Sequence, residues 1–195
     1  MKYAKLLIIG MCILLLSCTF LGVSTKQKVL PTEEQIPVKI VKKEAMTIVG
    51  MQIRTSLGDN KVPKLWMKFS PRENEIKHVI NPSNFWGVSF DYEYKKGDTE
   101  FSHIVGREVT STDDIPDGMT FIEIPVSTYA VFTHKGSLDS LGKTYNYIFS
   151  QWIPQNKYKY DESAPQLELY DERFQYGLPD SEMDIYVPII EPIEQ

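Results

Sequence analysis

Cysteine is scarce in this chain of 195 residues, since only Cys12 and Cys18 occur, both near the amino terminus. The rest of the chain therefore holds no thiol that could form a disulfide, ligate a metal or act as a nucleophile. The three histidines, His78, His103 and His134, stand far apart and lack the close spacing of a metal site. We therefore expect no metal and no other cofactor.

The chain also lacks an excess of positive charge. The chain carries 21 Lys and Arg against 26 Asp and Glu, a formal net charge of −5, and no block of basic residues. Proteins bind nucleic acids largely by neutralising phosphates, so we expect no nucleic-acid partner. Glycine-rich phosphate loops and the GxSxG motif are missing too, so nothing points to nucleotide binding or to a serine nucleophile.

The amino terminus has the layout of an export signal. Lys2 and Lys5 precede an apolar run over residues 6–16, which Ser17 and Cys18 follow. The run is shorter than the roughly 20 apolar residues that a membrane-spanning helix needs. The letters LLSC resemble the bacterial lipobox, in which the cysteine is acylated and becomes the first mature residue. The alternatives are an ordinary signal peptide and an uncleaved short anchor.

These observations predict four regions along the chain. Residues 1–17 form a lipoprotein signal peptide, and residues 18–37 form the lipidated cysteine with a flexible polar tether. Residues 38–190 form the folded domain, and residues 191–195 form a tail. A palmitate-type anchor at Cys18 would hold a monomer to the extracytoplasmic side of the membrane, in the cell envelope.

The body of the chain mixes strand and helix patterns. The stretch WGVSFDYEY alternates and predicts a strand with Trp86, Val88 and Tyr92 on one face. The stretch KVPKLWMKF has helical spacing, as does SLDSLGKTYNYIFSQWIP, in which Ser137 is a suitable N-cap and Pro154 closes the helix. In each half of this region the predicted order of elements is strand, helix, strand, strand. The sequence predicts an α+β fold from a duplicated β-α-β-β unit, its two antiparallel-sheet halves back to back or edge-joined.

Aromatic residues are plentiful, at 11 Tyr, 9 Phe and 3 Trp. Most should fill the core, but the hydroxyls of Tyr92, Tyr147 and Tyr170 favour a partly wet cavity. In the strand QLELYDERF, Glu168 shares a face with Tyr170. That face is either solvated or part of a cavity. In a cavity, Glu168 would attract a cation or a hydrogen-bond donor from a ligand.

Five stretches, in this order, resemble the GyrI-like, or AraC-type, effector-binding domain: LWMKF, TYAVFTHKG, YNYIFSQWIPQNKYKY, PQLELYDERF and MDIYVPI. The resemblance implies a cleft between the two halves that takes small molecules, often lipophilic cations. It implies that Glu168 is the central pocket acid, followed by Tyr170, and that Trp66 is the pocket tryptophan of the first helix. Many family members carry a DNA-binding domain, for which residues 19–37 leave no room, so we expect no transcriptional role.

The sequence is compatible with three functions. The first is a membrane-anchored binding protein for lipophilic or cationic small molecules, with Glu168 supplying charge and Trp66, Tyr92, Tyr147 and Tyr170 supplying walls. The second, which the resemblance implies for some stand-alone relatives, is a hydrolase of reactive electrophiles, with Glu168 and Tyr170 as candidate catalytic residues. The third is a structural or interaction lipoprotein with a vestigial pocket.

Overall fold

A computed structural model describes residues 36–190 of the chain, so the predicted signal peptide, Cys18 and the tail lie outside the described residues. The strands are β1 (Val38–Lys43), β2 (Met46–Ser56), β3 (Phe85–Lys95), β4 (Asp98–Val109), β5 (Thr120–Ile124), β6 (Ser127–Lys135), β7 (Lys159–Tyr160), β8 (Gln166–Tyr170) and β9 (Glu182–Ile190).

Two helical segments complete the fold. The helix α1 (Val62–Phe69) continues into a 3-10 turn, Ser70–Glu75. The second helical segment, residues 138–155, joins four pieces of different winding: a 3-10 turn (Leu138–Ser140), α2 (Leu141–Tyr147), a π-helical turn (Ile148–Trp152) and α3 (Ile153–Gln155).

The strands form one antiparallel sheet in the order β1-β6-β9-β8-β3-β4-β2-β5, with β7 paired to β9. The first β-α-β-β unit consists of β2, α1, β3 and β4, and the second consists of β6, the second helical segment, β8 and β9. The units meet edge to edge where β3 pairs with β8. Outward from that seam, each unit has its second, third and first strand in that order. The predicted α+β class and duplicated unit are therefore confirmed, and the halves are joined at their edges.

Helices cover one face of the sheet. Leu65 and Phe69 of α1 pack with Val49 and Val105 over the first half. Ile148 of the second helical segment packs over the second half, in the cluster that contains Phe132, Ile185 and Met183. Since burying each large apolar side chain contributes about 1.5–3 kcal/mol, these two clusters hold the helices against the sheet.

The opposite face encloses a core of its own, with Trp86, Val88 and Leu167 nearly or fully buried. Lys43 of β1 places its ammonium 4.8 Å from the ring centre of Trp86 in β3. Three strands separate β1 from β3 in the sheet, so this contact requires strong curvature, as twisted sheets of many strands adopt.

Two local predictions are corrected by the structure. A β-bulge between Phe90 and Glu93 breaks the alternation of β3, with Asp91 at φ 56°. The extra residue moves Tyr92 to the helix-covered face, where its ring stacks on Phe101. The second helix is not one regular helix, and it ends at Gln155, one residue after Pro154. Ser137 does cap its start, accepting a hydrogen bond from the Asp139 backbone N–H.

Candidate functional site

Glu168 lies at the seam between the two halves, on the helix-covered face of the sheet. Register places it opposite Gly87 of β3 and Ile185 of β9. Its strand, β8, alternates apolar and polar residues, so Gln166 and Tyr170 share its face while Leu167 and Leu169 enter the opposite core. The side chain is half-buried, which leaves it accessible from the helix-covered side.

Two tyrosine hydroxyls hold the carboxylate. Tyr145 of α2 donates to Oε1 at 2.6 Å, and Tyr170 of β8 donates to Oε2 at 2.8 Å. Burial raises the pKa of Glu168 above its ordinary value, and these two hydrogen bonds oppose that rise. Burial and the charge of Glu168 both hold the pKa of each tyrosine well above 10, so both tyrosines act as neutral donors.

The carboxylate has no cationic partner within residues 36–190. The Lys, Arg and His ion pairs of this part of the chain all lie elsewhere, for example between Arg173 and Asp184. A carboxylate oxygen has about two acceptor sites, and each oxygen of Glu168 uses one on a tyrosine. One acceptor site on each oxygen therefore remains for a donor or cation from a ligand.

An aromatic wall borders one side of the carboxylate. The Trp66 ring of α1 meets Tyr170 edge to face, with centroids 4.9 Å apart, and Phe174 meets the same tyrosine at 4.8 Å. Trp66 and Phe85 pack against the clusters of both halves, so they bridge the seam. Such rings offer apolar area and, through their faces, attraction for cations.

A polar group borders the other side. The Ser89 hydroxyl lies 2.7 Å from Nδ1 of His103, which is only 2% exposed. Its Nε2 is buried without a hydrogen-bond partner. Burial lowers the pKa of His103 to about 4, so the ring is neutral at pH 7.

Gly87 lies between the carboxylate and the imidazole. A Cβ at this position would sit 3.1 Å from Glu168 Oε2 and 3.3 Å from His103 Nε2. The absence of a side chain therefore opens a small space, which we call the Gly87 notch, bordered by Glu168 and His103. Real Cβ contacts are rarely this short, so any larger residue here would push against both groups.

Two further tyrosines lie beyond this polar group. Tyr160 accepts a hydrogen bond from the Gln166 amide at 2.9 Å. Tyr92 is 41% exposed as a residue, yet burial of its hydroxyl raises its pKa, and the charge of Glu168 adds to that rise. Tyr92 is therefore near enough to Glu168 for the two groups to interact electrostatically.

The structure brings four of the five residues predicted to bind ligand to this region: Glu168, Tyr170, Trp66 and Tyr92. Tyr147 lies elsewhere, on a separate groove of about 420 Å³ that Val38 and Trp152 also line. Helix geometry explains the difference, because residues two positions apart project from opposite sides of a helix. Tyr145, rather than Tyr147, lies on the side that contacts Glu168.

Sequence reasoning missed Tyr145, His103, Ser89 and Gly87 as parts of this region. Tyr145 could have been found, since it follows Leu141 by four residues on the apolar side of the helix. The other three depend on the pairing of β3 with β4 and β8, which places Ser89 opposite His103 and Gly87 opposite Glu168.

The part of the chain that the structure describes contains no group of three or more His, Cys, Asp or Glu side chains suited to a metal ion. Within residues 36–190, no helix combines the length and the apolar composition needed to cross a membrane.

Comparison with known proteins assigns the domain to a family. The model of the GyrI-like small molecule binding domain matches residues 36–190. The transcriptional regulator BrlR of Pseudomonas aeruginosa is 32% identical over 152 residues, which cover 77% of this chain and 54% of the regulator. The chain thus spans about half the length of this curated relative.

Solved structures share the fold at low identity. The structure of SAV2435 bound to tetraphenylphosphonium matches with a TM-score of 0.64 and 16% identity, covering 80% of this chain and 94% of that one. The integron cassette protein VCH_CASS2 of Vibrio cholerae matches with a TM-score of 0.59 and 15% identity, covering 78% and 95%. The chain belongs to the family of GyrI-like small-molecule binding domains.

Proposed function

We propose that this protein binds lipophilic cations at the seam between its halves, with Glu168 as the charged centre. The observation that carries the proposal is a half-buried carboxylate held by two neutral tyrosines, with no cation paired to it within residues 36–190. A desolvated negative charge is costly, and a bound cation offsets that cost.

The aromatic wall supports the same ligand class. Trp66, Phe85 and Phe174 lie around Tyr170 and present apolar surface beside the charge. Binding sites for small molecules commonly combine such surface with few polar groups. SAV2435, which shares the fold, has been solved with the lipophilic cation tetraphenylphosphonium, and this motivates the choice of that ion as a probe.

Calorimetric titration of the full chain in nonionic detergent with tetraphenylphosphonium tests the proposal. Wild type should bind, and Glu168→Gln should bind about tenfold more weakly or worse, because the amide keeps the size of the side chain but loses its charge. Tyr147→Phe is the matched control, since Tyr147 lies on the separate groove. Absence of binding, or equal affinity in Glu168→Gln, would overturn this proposal.

We also propose that acyl chains on Cys18 hold the domain at the outer face of a membrane in the cell envelope. The support is the basic start, the short apolar run and the Ser17-Cys18 pair. In cell fractionation, the wild-type chain should partition with membranes and Cys18→Ser should lose acylation. An unacylated wild-type chain would contradict the anchor and leave the ligand site unaffected.

Hydrolysis of a reactive electrophile is a second candidate function. The contact that favours it is the 2.6 Å hydrogen bond between the Tyr145 hydroxyl and Glu168, because a carboxyl with a raised pKa suits general acid–base catalysis. Turnover of an epoxide probe by wild type, lost in both Glu168→Gln and Tyr145→Phe, is the expected result for an enzyme. Binding without turnover would exclude hydrolysis of that class.

A further inference from the structure

The separate groove beside Tyr147 has no role in the proposed cation site. It has a volume of about 420 Å³ and lies between the start of β1 and the second helical segment. Ile36 and Pro37, the first residues that the structure describes, form part of its lining. Residues 19–35 therefore join the domain at this groove. With acyl chains on Cys18, the groove is the point of the domain at which the chain from the bilayer arrives.

Aromatic rings form one wall of the groove. Trp152, a lining residue, packs edge to face against Phe132 in the core, with ring centroids 5.0 Å apart. Tyr158 stacks on Trp152 at 5.9 Å, with the two rings 6° from parallel. Both side chains are partly exposed. Trp and Tyr combine an apolar ring with one polar atom, which suits the boundary between water and lipid.

The two segments that meet at the groove carry positive charge only. Residues 36–43 contain three lysines and residues 140–160 contain three more, while neither segment contains Asp or Glu. The six are Lys39, Lys42, Lys43, Lys143, Lys157 and Lys159. That leaves 15 of the 21 Lys and Arg for the rest of the chain, against all 26 Asp and Glu. These segments are therefore a basic region of an acidic protein.

Two of these lysines directly follow the groove in the chain. Lys157 is next to the groove residue Asn156, and its ammonium lies 5.4 Å from the ring centre of Tyr158. Lys157 and Lys159 are both exposed. The lysine ion pairs within residues 36–190 involve other lysines, such as Lys135, so both charges are available to a partner. Rings beside unpaired lysines match the surface of a bilayer with anionic headgroups, where rings lie among the headgroups and lysines attract phosphates.

Resting on the lipid anchor proposed above, we propose that the separate groove, with Lys157 and Lys159, is a docking surface for a lipid bilayer with anionic headgroups. Trp152 and Tyr158 would lie at the level of the headgroups, and the two lysines would contact lipid phosphates. The acyl chains would hold the protein to the membrane, and this surface would fix which side of the domain faces it.

Quenching of Trp152 fluorescence by brominated lipid tests the docking surface. The full chain is reconstituted in vesicles of equal parts phosphatidylcholine and phosphatidylglycerol, with bromine on the upper part of the acyl chains. Wild type should be quenched, and Trp152→Phe should lose that quenching, because Trp152 is the tryptophan of the groove. Trp66→Phe is the matched control for this readout, since it removes a tryptophan of α1 and should leave the quenching in place.

The contribution of the lysines is tested separately. Lys157→Gln/Lys159→Gln removes two positive charges beside the groove, and the ratio of docked to undocked domain should fall about 25-fold, or about fivefold for each lysine. Lys64→Gln/Lys68→Gln is the matched control, with the same change of charge at two exposed lysines of α1. It should dock like wild type. Vesicles of phosphatidylcholine alone should reduce the docking of wild type, and thermal unfolding of each variant reports whether it folds.

The outcomes separate docking from the other proposals. Glu168→Gln should be quenched like wild type, because Glu168 contacts the opposite side of the helix from Tyr147, through Tyr145. Mass spectrometry of the same preparation reports acylation. An unacylated chain would overturn the anchor, and quenching of Trp152 after mixing that chain with the vesicles would still decide docking.

Three results would overturn the docking surface. The first is the absence of Trp152 quenching in wild type. The second is equal quenching in both kinds of vesicle, with none lost in Lys157→Gln/Lys159→Gln. The third is a Trp152 that is shielded from brominated lipid in a protein that light scattering shows to be a dimer, since the groove would then bind a second copy of the chain.

Discussion

The two halves of the sheet meet at a pair of residues that differ strongly in size and charge. Gly87 of β3 and Glu168 of β8 face each other in register, at corresponding places in the two β-α-β-β units. One half contributes no side chain there, and the other contributes a carboxylate that needs the space, since a Cβ on Gly87 would approach Oε2 to 3.1 Å. The site therefore depends on how the repeated halves differ, with one half supplying charge and the other supplying room.

The helices differ in a complementary way. The regular helix α1 supplies Trp66, an aromatic edge against Tyr170. The second helical segment supplies a hydrogen-bond donor, Tyr145, from the α-helical turns that precede its π-helical turn. Such turns are frequent at functional sites. Each half thus covers the seam with a helix, but only the second adds a polar contact to the carboxylate.

The largest expected effect comes from making the two halves alike. Gly87→Glu places a second carboxylate beside Glu168, where overpacking and an unpaired buried charge should cost about 4 kcal/mol of unfolding free energy at pH 7.5. Gly87→Gln is the matched neutral variant and should lose only the packing part. Chemical denaturation at pH 7.5 measures both variants. Equal losses of unfolding free energy would show that the two carboxylates do not repel each other.

A somewhat smaller effect should appear in acid, through His103. Its folded pKa of about 4 lies below the ordinary value of 6.5, so the unfolded chain takes up a proton first as pH falls. Wild type should lose about 3 kcal/mol between pH 6.5 and 4 from this group. Glu168, which faces His103 across the notch, has a raised pKa and contributes in the opposite sense, with stability falling as pH rises through its window.

The difference between His103→Gln and wild type isolates the imidazole, because Glu168 is present in both proteins. Denaturation series over that pH range should show a shallower acid loss in His103→Gln. Parallel curves would mean that His103 titrates at its ordinary pKa.

The smallest effect compares two tyrosines of one helix. Tyr145→Phe removes a hydrogen bond to a charged group and should cost about 1.5–3 kcal/mol. Tyr147→Phe removes a hydroxyl on the separate groove and should cost about 0.5 kcal/mol or less. Urea denaturation measures both, and a cost for Tyr147→Phe as large as that for Tyr145→Phe would contradict the placement of the carboxylate contact.

Local pattern was enough to predict much of this molecule. The spacing of Leu65, Trp66 and Phe69 predicted α1, and the pairing of Glu168 with Tyr170 on one face followed from strand alternation. The order of elements predicted a duplicated β-α-β-β unit, because apolar periodicity is a property of each segment alone. A bulge could not be predicted, and it moved Tyr92 to the other face of the sheet.

The sequence by itself determined the elements, their duplication and the residue most worth testing, Glu168, because these depend on spacing along one segment. Only the tertiary structure decided the neighbours of that residue. Tyr145 reaches Glu168 from a helix 23 positions earlier, and Gly87 and His103 reach it through strand pairing. Pairing register is set by packing across the whole sheet, and a shift of one residue would have turned every one of these side chains to the opposite face.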